Sequence, residues 1–253
     1  MNLFFRKIGA GKPLIILHGL FGSSDNWLTM AKMFANEYEV YLIDQRNHGQ
    51  SPHSAEHNYE LMSADIMSFI SDNHLVNPVI IGHSMGGKVV MKLAIEHPEL
   101  FEKAIVVDIA PRQYQPHHQE YIAGLQSINL STLNNRNEAD KQLSKYVQNV
   151  AERQFLLKNL YRTEDGFFHW RMNLNVLSTY ISNIYEGTNL NLRCELPILF
   201  IKGENSNYIS KQDEVDIKTI FTNSIFKIVP NAGHWVQAEQ PVHFHEVVSE
   251  FLK

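Results

Sequence analysis

The sequence predicts an α/β fold, a mostly parallel sheet with helices on both faces and an inserted helical cap. Two observations carry the sheet. Short apolar runs rich in β-branched residues, such as Leu14–Leu17 and Val79–Ile81, alternate with segments of helical periodicity. These runs are continuously apolar, as strands covered on both faces must be. A third observation carries the cap. From Arg112 to Leu192 the alternation stops, and helix-compatible sequence rich in Asn and Gln takes over, with Tyr, Phe, Trp and Met interspersed. One sheet could hardly be interrupted so long by loop alone. The predicted units are therefore a core of residues 1–111 and 193–253 and a cap of residues 112–192.

In chain order, Leu3–Ile8 reads as an edge strand ended by Gly9-Ala10-Gly11-Lys12-Pro13. Leu14–Leu17 is a buried strand running into His18-Gly19-Leu20-Phe21-Gly22, after which Ser24 or Asp25 can cap a helix through Met30, Met33 and Phe34. Tyr38–Ile43 is the next strand and leads into a polar, Gly- and Pro-punctuated loop from Asp44 to Pro52. Leu61, Met62, Ile66, Phe69 and Ile70 give Tyr59–His74 helical spacing. A strand from Val79 and a helix stopped by His97-Pro98 follow, then the buried strand within Phe101–Ile109. Beyond the cap, Pro197–Lys202 resumes the sheet, Asp213–Ile220 is helical, Ser224–Val229 is the last strand and Pro241–Leu252 the closing helix.

At 253 residues, with 44% hydrophobic and 19% charged residues, the chain can bury a sizeable core. A net charge of -5 gives no electrostatic footprint for nucleic acid or an anionic membrane. No apolar run is long enough to span a bilayer. The single cysteine, Cys194, reads as buried filler and fits a reducing compartment. The expectation is a soluble cytoplasmic protein, monomer or homodimer.

The chemistry centres on Gly82-x-Ser84-x-Gly86, placed where an apolar strand ends and a helix begins. Such an elbow lifts a serine hydroxyl out of a tight turn in which glycines leave room for the backbone. A serine hydroxyl needs a base. Of 13 histidines, His234 in Gly233-His234-Trp235 follows the last strand, at the sheet edge where ligands bind. His18 and His83 sit in tight Gly turns and are expected to hold loop shape, while His117, His118, His243 and His245 face solvent or line a cap surface. The base needs an orienting carboxylate. Asp108 ends the apolar run Ala104–Val107, where an unpaired carboxylate is costly, and is the preferred choice over Glu204. Backbone N–H groups of Met85 and Leu20 are the expected oxyanion donors.

Together these pieces resemble the α/β-hydrolase superfamily: His18-Gly19 with Gly22, Asp44-x-Arg46-x-His48-Gly49-x-Ser51, Gly82-x-Ser84-x-Gly86 and Gly233-His234. More narrowly, His18-Gly-Leu-Phe-Gly-Ser, Gly-His-Ser84-Met-Gly-Gly-Lys, Asp108-Ile-Ala-Pro, Trp170-Arg171-Met172-Asn173 and Gly233-His-Trp-Val resemble the YbfF-type bacterial esterases. The superfamily's usual acid position after the later strand holds Ser206 here. The resemblance implies that Asp108 replaces it, with Ser206 as an auxiliary member. It also implies a serine hydrolase of carboxylic esters or acyl thioesters, acting on a small-molecule substrate through an acyl-enzyme, with no metal and no cofactor. Aromatic residues for its acyl pocket are Phe21, Tyr114, Tyr121, Phe155, Trp170, Tyr208 and Trp235. Fold-level resemblance leaves two alternatives open, a carbon–carbon bond hydrolase and a non-catalytic ligand-binding protein.

Overall fold

The computed structural model describes residues 1–188 and 192–253. Strands β1 (Phe5–Ile8), β2 (Lys12–Leu17) and β3 (Tyr38–Ile43) precede β4 (Val79–His83) and β5 (Lys103–Val107). A short pair, β6 (Leu160–Arg162) and β7 (Phe168–Trp170), stands apart from the main sheet, which is completed by β8 (Ile198–Gly203) and β9 (Ser224–Val229). The main sheet has the order β1-β3-β2-β4-β5-β8-β9. β1 runs antiparallel to β3, and the other neighbours are parallel.

Successive residues of a strand point to opposite faces, so each continuous apolar run feeds two cores. Leu14, Ile16, Ile81, Ile105 and Leu199 pack with α1 (Leu28–Phe34) and α11 (Pro241–Leu252). Ile15, Leu17, Ile80, Val106 and Phe200 pack on the other face with α2 (Tyr59–Asp72) and α3 (Met85–Glu96). This is the arrangement that continuous rather than alternating strands require. The helix expected from Ser24 opens as a 3-10 turn, Ser24–Trp27, whose capping box uses Ser23 and Asn26. Cys194 is buried at 3% exposure, with its thiol donating to the Ala94 carbonyl. No helix among the described residues is long and apolar enough to cross a membrane.

Between β5 and β8 the chain forms α4 (Gln119–Ser127), α5 (Arg136–Leu143), α6 (Val150–Leu157), the β6–β7 hairpin, α7 (Leu174–Thr179) and α8 (Ile181–Ile184). The asparagine-rich composition has a direct cause. Asn135, Asn149 and Asn173 are N-caps of α5, α6 and α7, each accepting a first-turn N–H. The hairpin departs from the expected all-helical insertion. Its signal is Asp165-Gly166, with Gly166 at φ 90° in the turn joining the two strands. Residues 189–191, assigned to the end of the cap, lie outside the described residues.

A buried lysine ties both ends of this insertion to the core. Lys88 of α3 is 2% exposed, and its Nζ donates to the Arg112 carbonyl at 2.9 Å and to the Glu186 carbonyl. Burial pushes its pKa down to about 7. The remaining helices, α9 (Lys211–Ile220) and α10 (Val236–Glu239), flank β9 in the chain.

Candidate active site

Parallel strands bring the loops after β2, β4, β5, β8 and β9 to one sheet edge. At β4 the chain reverses into α3 through Ser84, which has φ 52° and ψ -115°. A Cβ on Gly82 would stand 2.3 Å from the Gly86 carbonyl oxygen, so that turn closes only around glycine. Gly19 packs on the other side, where an added Cβ would meet Ser84 Cβ at 3.2 Å. The loop after β2 is thus pressed directly against Ser84.

Asp108 follows β5, is fully buried, and has φ 50°. Its Oδ2 accepts from His234 Nδ1 at 2.8 Å and from the Ser206 hydroxyl, while Oδ1 accepts from Gly203 N–H at 3.2 Å. Three donors satisfy the carboxylate in a site without water access, which offsets the cost of burying its charge. Glu204 is engaged elsewhere, accepting from Asn231 N–H at 2.9 Å. His234 is held from two further directions. His83 Nε2 donates to its carbonyl at 2.8 Å, and the Tyr208 ring stacks on its imidazole at 3.8 Å with 13° between planes. Among the described residues no hydrogen bond joins Ser84 Oγ to His234; both line one cleft of about 590 Å³. Such contacts are often loose before substrate binds.

In the loop after β2 the N–H groups of Leu20 and Phe21 differ in their engagement. Phe21 N–H donates to His48 Nε2 at 3.2 Å. Neither Leu20 N–H nor Met85 N–H has an acceptor among the described residues. The peptide carrying Leu20 N–H is fixed through its other end, because Gly19 C=O accepts from His18 Nδ1 at 2.8 Å and from Gly22 N–H at 2.9 Å. A planar trans peptide then sends Leu20 N–H in the opposite direction. His18 Nε2 in turn accepts Gln45 N–H at 3.0 Å. Burial pushes the pKa of His18 down to about 4, that of His48 to about 3, and that of His83 well below its ordinary value. All three rings are neutral and serve as spacers between loops, as their Gly-turn and loop positions suggested for His18 and His83.

Of the aromatic residues expected at the pocket, Phe21, Tyr121, Phe155, Tyr208 and Trp235 line the cleft. Tyr114 and Trp170 do not, and both assignments are corrected. Tyr114 lies 7% exposed below the site, where its hydroxyl accepts from Ala110 N–H and donates to the Tyr208 carbonyl. Trp170 is the last residue of β7, paired with Leu160, and its ring packs on the core. The sequence reading missed several cleft residues. His117, given no role, accepts from the Tyr208 hydroxyl at Nε2 (2.8 Å), and His118 stacks on Tyr185 at 5.7 Å. Glu152, Lys158 and Glu239 also line the cleft. The signal available for the histidines was the adjacent pair His117-His118 directly before α4, whose N-cap is His118. His243 is exposed, and His245 packs on Phe34 at 4.8 Å.

Residues 12–156 match the family described as alpha/beta hydrolase fold. The chain belongs to that family. As an α/β-hydrolase it is 38% identical over 247 residues to the mouse (Mus musculus) protein named sn-1-specific diacylglycerol lipase ABHD11, covering 94% of this chain and 80% of that one. It is 34% identical over 241 residues to Esterase YbfF of Escherichia coli (strain K12), covering 95% and 92%. A solved structure described as "Marine microorganism esterase" matches with a TM-score of 0.96 at 46% identity, covering 98% of both chains. The E-2-(acetamidomethylene)succinate hydrolase structure, at 18% identity and a TM-score of 0.81, shares the α/β-hydrolase fold. These relatives support the YbfF-type esterase grouping: the mouse protein is named a lipase, and the Escherichia coli protein and the marine structure are named esterases.

Proposed function

We propose that this α/β-hydrolase cleaves carboxylic esters, and acyl thioesters by the same route, through Ser84, His234 and Asp108. The observation that carries the reading is the contact of 2.8 Å between buried Asp108 and His234, in the cleft that also holds Ser84. His234 Nε2 takes the Ser84 proton as Oγ attacks the acyl carbonyl. Leu20 and Met85 N–H groups receive the oxyanion, and Met85 lies at the first turn of α3, where unpaired N–H groups carry partial positive charge. Collapse of the tetrahedral species breaks the bond to the alcohol or thiol, which leaves with the proton from His234. Water, deprotonated by His234, then attacks the acyl-enzyme and releases the acid.

Asp108 fixes the His234 tautomer with Nδ1–H toward the carboxylate, leaving Nε2 free to act as base. Ser206 supplies a further donor to that carboxylate and holds it in place. The segment 112–192 serves as a cap, contributing Tyr121, Glu152 and Phe155 to the cleft wall. The similarity to a diacylglycerol lipase makes acylglycerols the first natural esters to try, and the single buried cysteine fits work in a reducing cytoplasm.

The test is hydrolysis of p-nitrophenyl esters from acetyl to palmitoyl, paired with labelling by a fluorophosphonate. Wild type should turn over at least the shorter esters and label at Ser84, while Ser84→Ala should lose both. A wild type that hydrolyses no ester and resists the probe would refute the reading.

A further inference from the structure

The residue after Leu20 is held in a conformation its side chain disfavours. Phe21 has φ 59°, a left-handed backbone that an aromatic residue rarely adopts unaided. Both of its peptide groups are engaged. Phe21 N–H donates to His48 Nε2 at 3.2 Å, and Phe21 C=O accepts from Asn159 Nδ2 at 2.7 Å.

Each partner is itself locked. His48 Nδ1 lies 2.9 Å from the Arg46 carbonyl, which can only accept. The proton of the neutral ring is therefore on Nδ1, and Nε2 must be the acceptor for Phe21. Asn159 is 3% exposed and follows α6; its Nδ2 also donates to the Leu156 carbonyl at 3.1 Å. Two carbonyl partners require the NH₂ end of the amide at that position. The Asn159 backbone carbonyl accepts Arg171 N–H at 2.8 Å, which anchors the residue across the β6–β7 hairpin. Asn159 does not line the cleft.

We infer that Asn159 is a positioning residue for the oxyanion donor: the inserted segment, through this one amide, keeps Phe21 left-handed and so keeps Leu20 N–H aimed at the developing oxyanion. The inference rests on the reading of Leu20 as that donor. Without Asn159, Phe21 is released toward negative φ, and the turn from Gly19 to Gly22 loosens around the Leu20 peptide. The oxyanion exists only after attack, so loss of its donor falls on the chemical step; Phe21 also lines the cleft, so any change in ground-state binding is read separately with an inhibitor that bears no oxyanion.

The experiment compares wild type with Asn159→Asp, which keeps the shape and removes the donor, and Asn159→Ser, which is too short to reach Phe21. kcat and KM are measured with p-nitrophenyl butyrate. Inhibition is measured with an alkyl trifluoromethyl ketone, whose adduct with Ser84 bears an oxyanion, and with the matching unfluorinated ketone. Full removal of an oxyanion donor costs about 10²–10³ in rate, so a misaimed one should cost roughly ten- to hundredfold in kcat. The trifluoromethyl ketone should weaken by a similar factor relative to the plain ketone, which registers any change in binding through Phe21. Should Asn159→Asp fail to fold, Asn159→Ser carries the same comparison. Unchanged kcat in either folded variant overturns the inference, as does a drop in kcat with undiminished trifluoromethyl ketone affinity. Both of those results leave the Ser84 reading standing. A wild type that neither hydrolyses the ester nor binds the trifluoromethyl ketone overturns the underlying reading along with it.

Discussion

Asp108 and His234, 126 residues apart in the chain, meet at 2.8 Å between Oδ2 and Nδ1. Glu204 sits on a neighbouring loop and faces Asn231 instead. Asp108→Asn should therefore lower kcat by about 10³–10⁴, the cost of presenting the wrong histidine tautomer. Glu204→Gln should stay within about twofold of wild type. Ser206→Ala removes one donor to a charged acceptor, and roughly ten- to hundredfold should be lost from kcat/KM. Steady-state kinetics on one p-nitrophenyl ester checks all three, and a damaging Glu204→Gln beside a tolerated Asp108→Asn would reverse the acid assignment.

His18 and His48 join the loop after β2 to the loop after β3, and both are neutral with pKa values depressed to about 4 and about 3. The unfolded chain protonates near pH 6.5, so between that value and about 4 it binds protons that the folded protein refuses. The stability these rings contribute is complete above pH 6.5 and is lost as pH falls through that window. Each fully titrating histidine should add a slope of about 1.4 kcal/mol per pH unit. Urea unfolding at pH 7.5, 5.5 and 4.5 reads the slope. His48→Gln should flatten it by about one histidine, and identical slopes in the two proteins would contradict the account.

Lys88 joins both ends of the inserted segment to α3. Lys88→Met leaves the Arg112 and Glu186 carbonyls without their shared donor and should destabilise the fold by about 1–3 kcal/mol. Denaturant unfolding gives the value. A change below 0.5 kcal/mol, within the range typical of surface substitutions, would remove the lysine from any holding role.

Phe155 lines the cleft against Trp235, their ring centroids 5.3 Å apart, whereas Tyr114 and Trp170 stand outside it. Phe155→Ala should shift the preferred acyl chain length in a p-nitrophenyl ester series. Tyr114→Phe and Trp170→Phe should leave that preference where it is, and a shift in either would place the acyl group elsewhere.

What the sequence by itself determined is local. The two-faced strands follow from continuous apolar runs, the elbow from Gly82, Ser84 and Gly86, and the place of His234 from Gly233-His234 beside a strand end; each signal lies within a few residues of the atom it specifies. Asp108 was legible for the same reason, since a carboxylate closing so apolar a strand must be paired. The hairpin at β6–β7 was also encoded locally, in Asp165-Gly166, but three-residue strands carry too little periodicity to stand out from helical neighbours. Other features depended on how the sheet closes. Only the tertiary structure decided that Tyr114 turns inward to the Tyr208 carbonyl, that Glu204 turns to Asn231, and that Asn159 reaches back 138 residues to the Phe21 carbonyl. Each of these is one polar group choosing among distant partners. That choice is made by the burial and planarity of the groups around it, once parallel strands have carried them to the same edge.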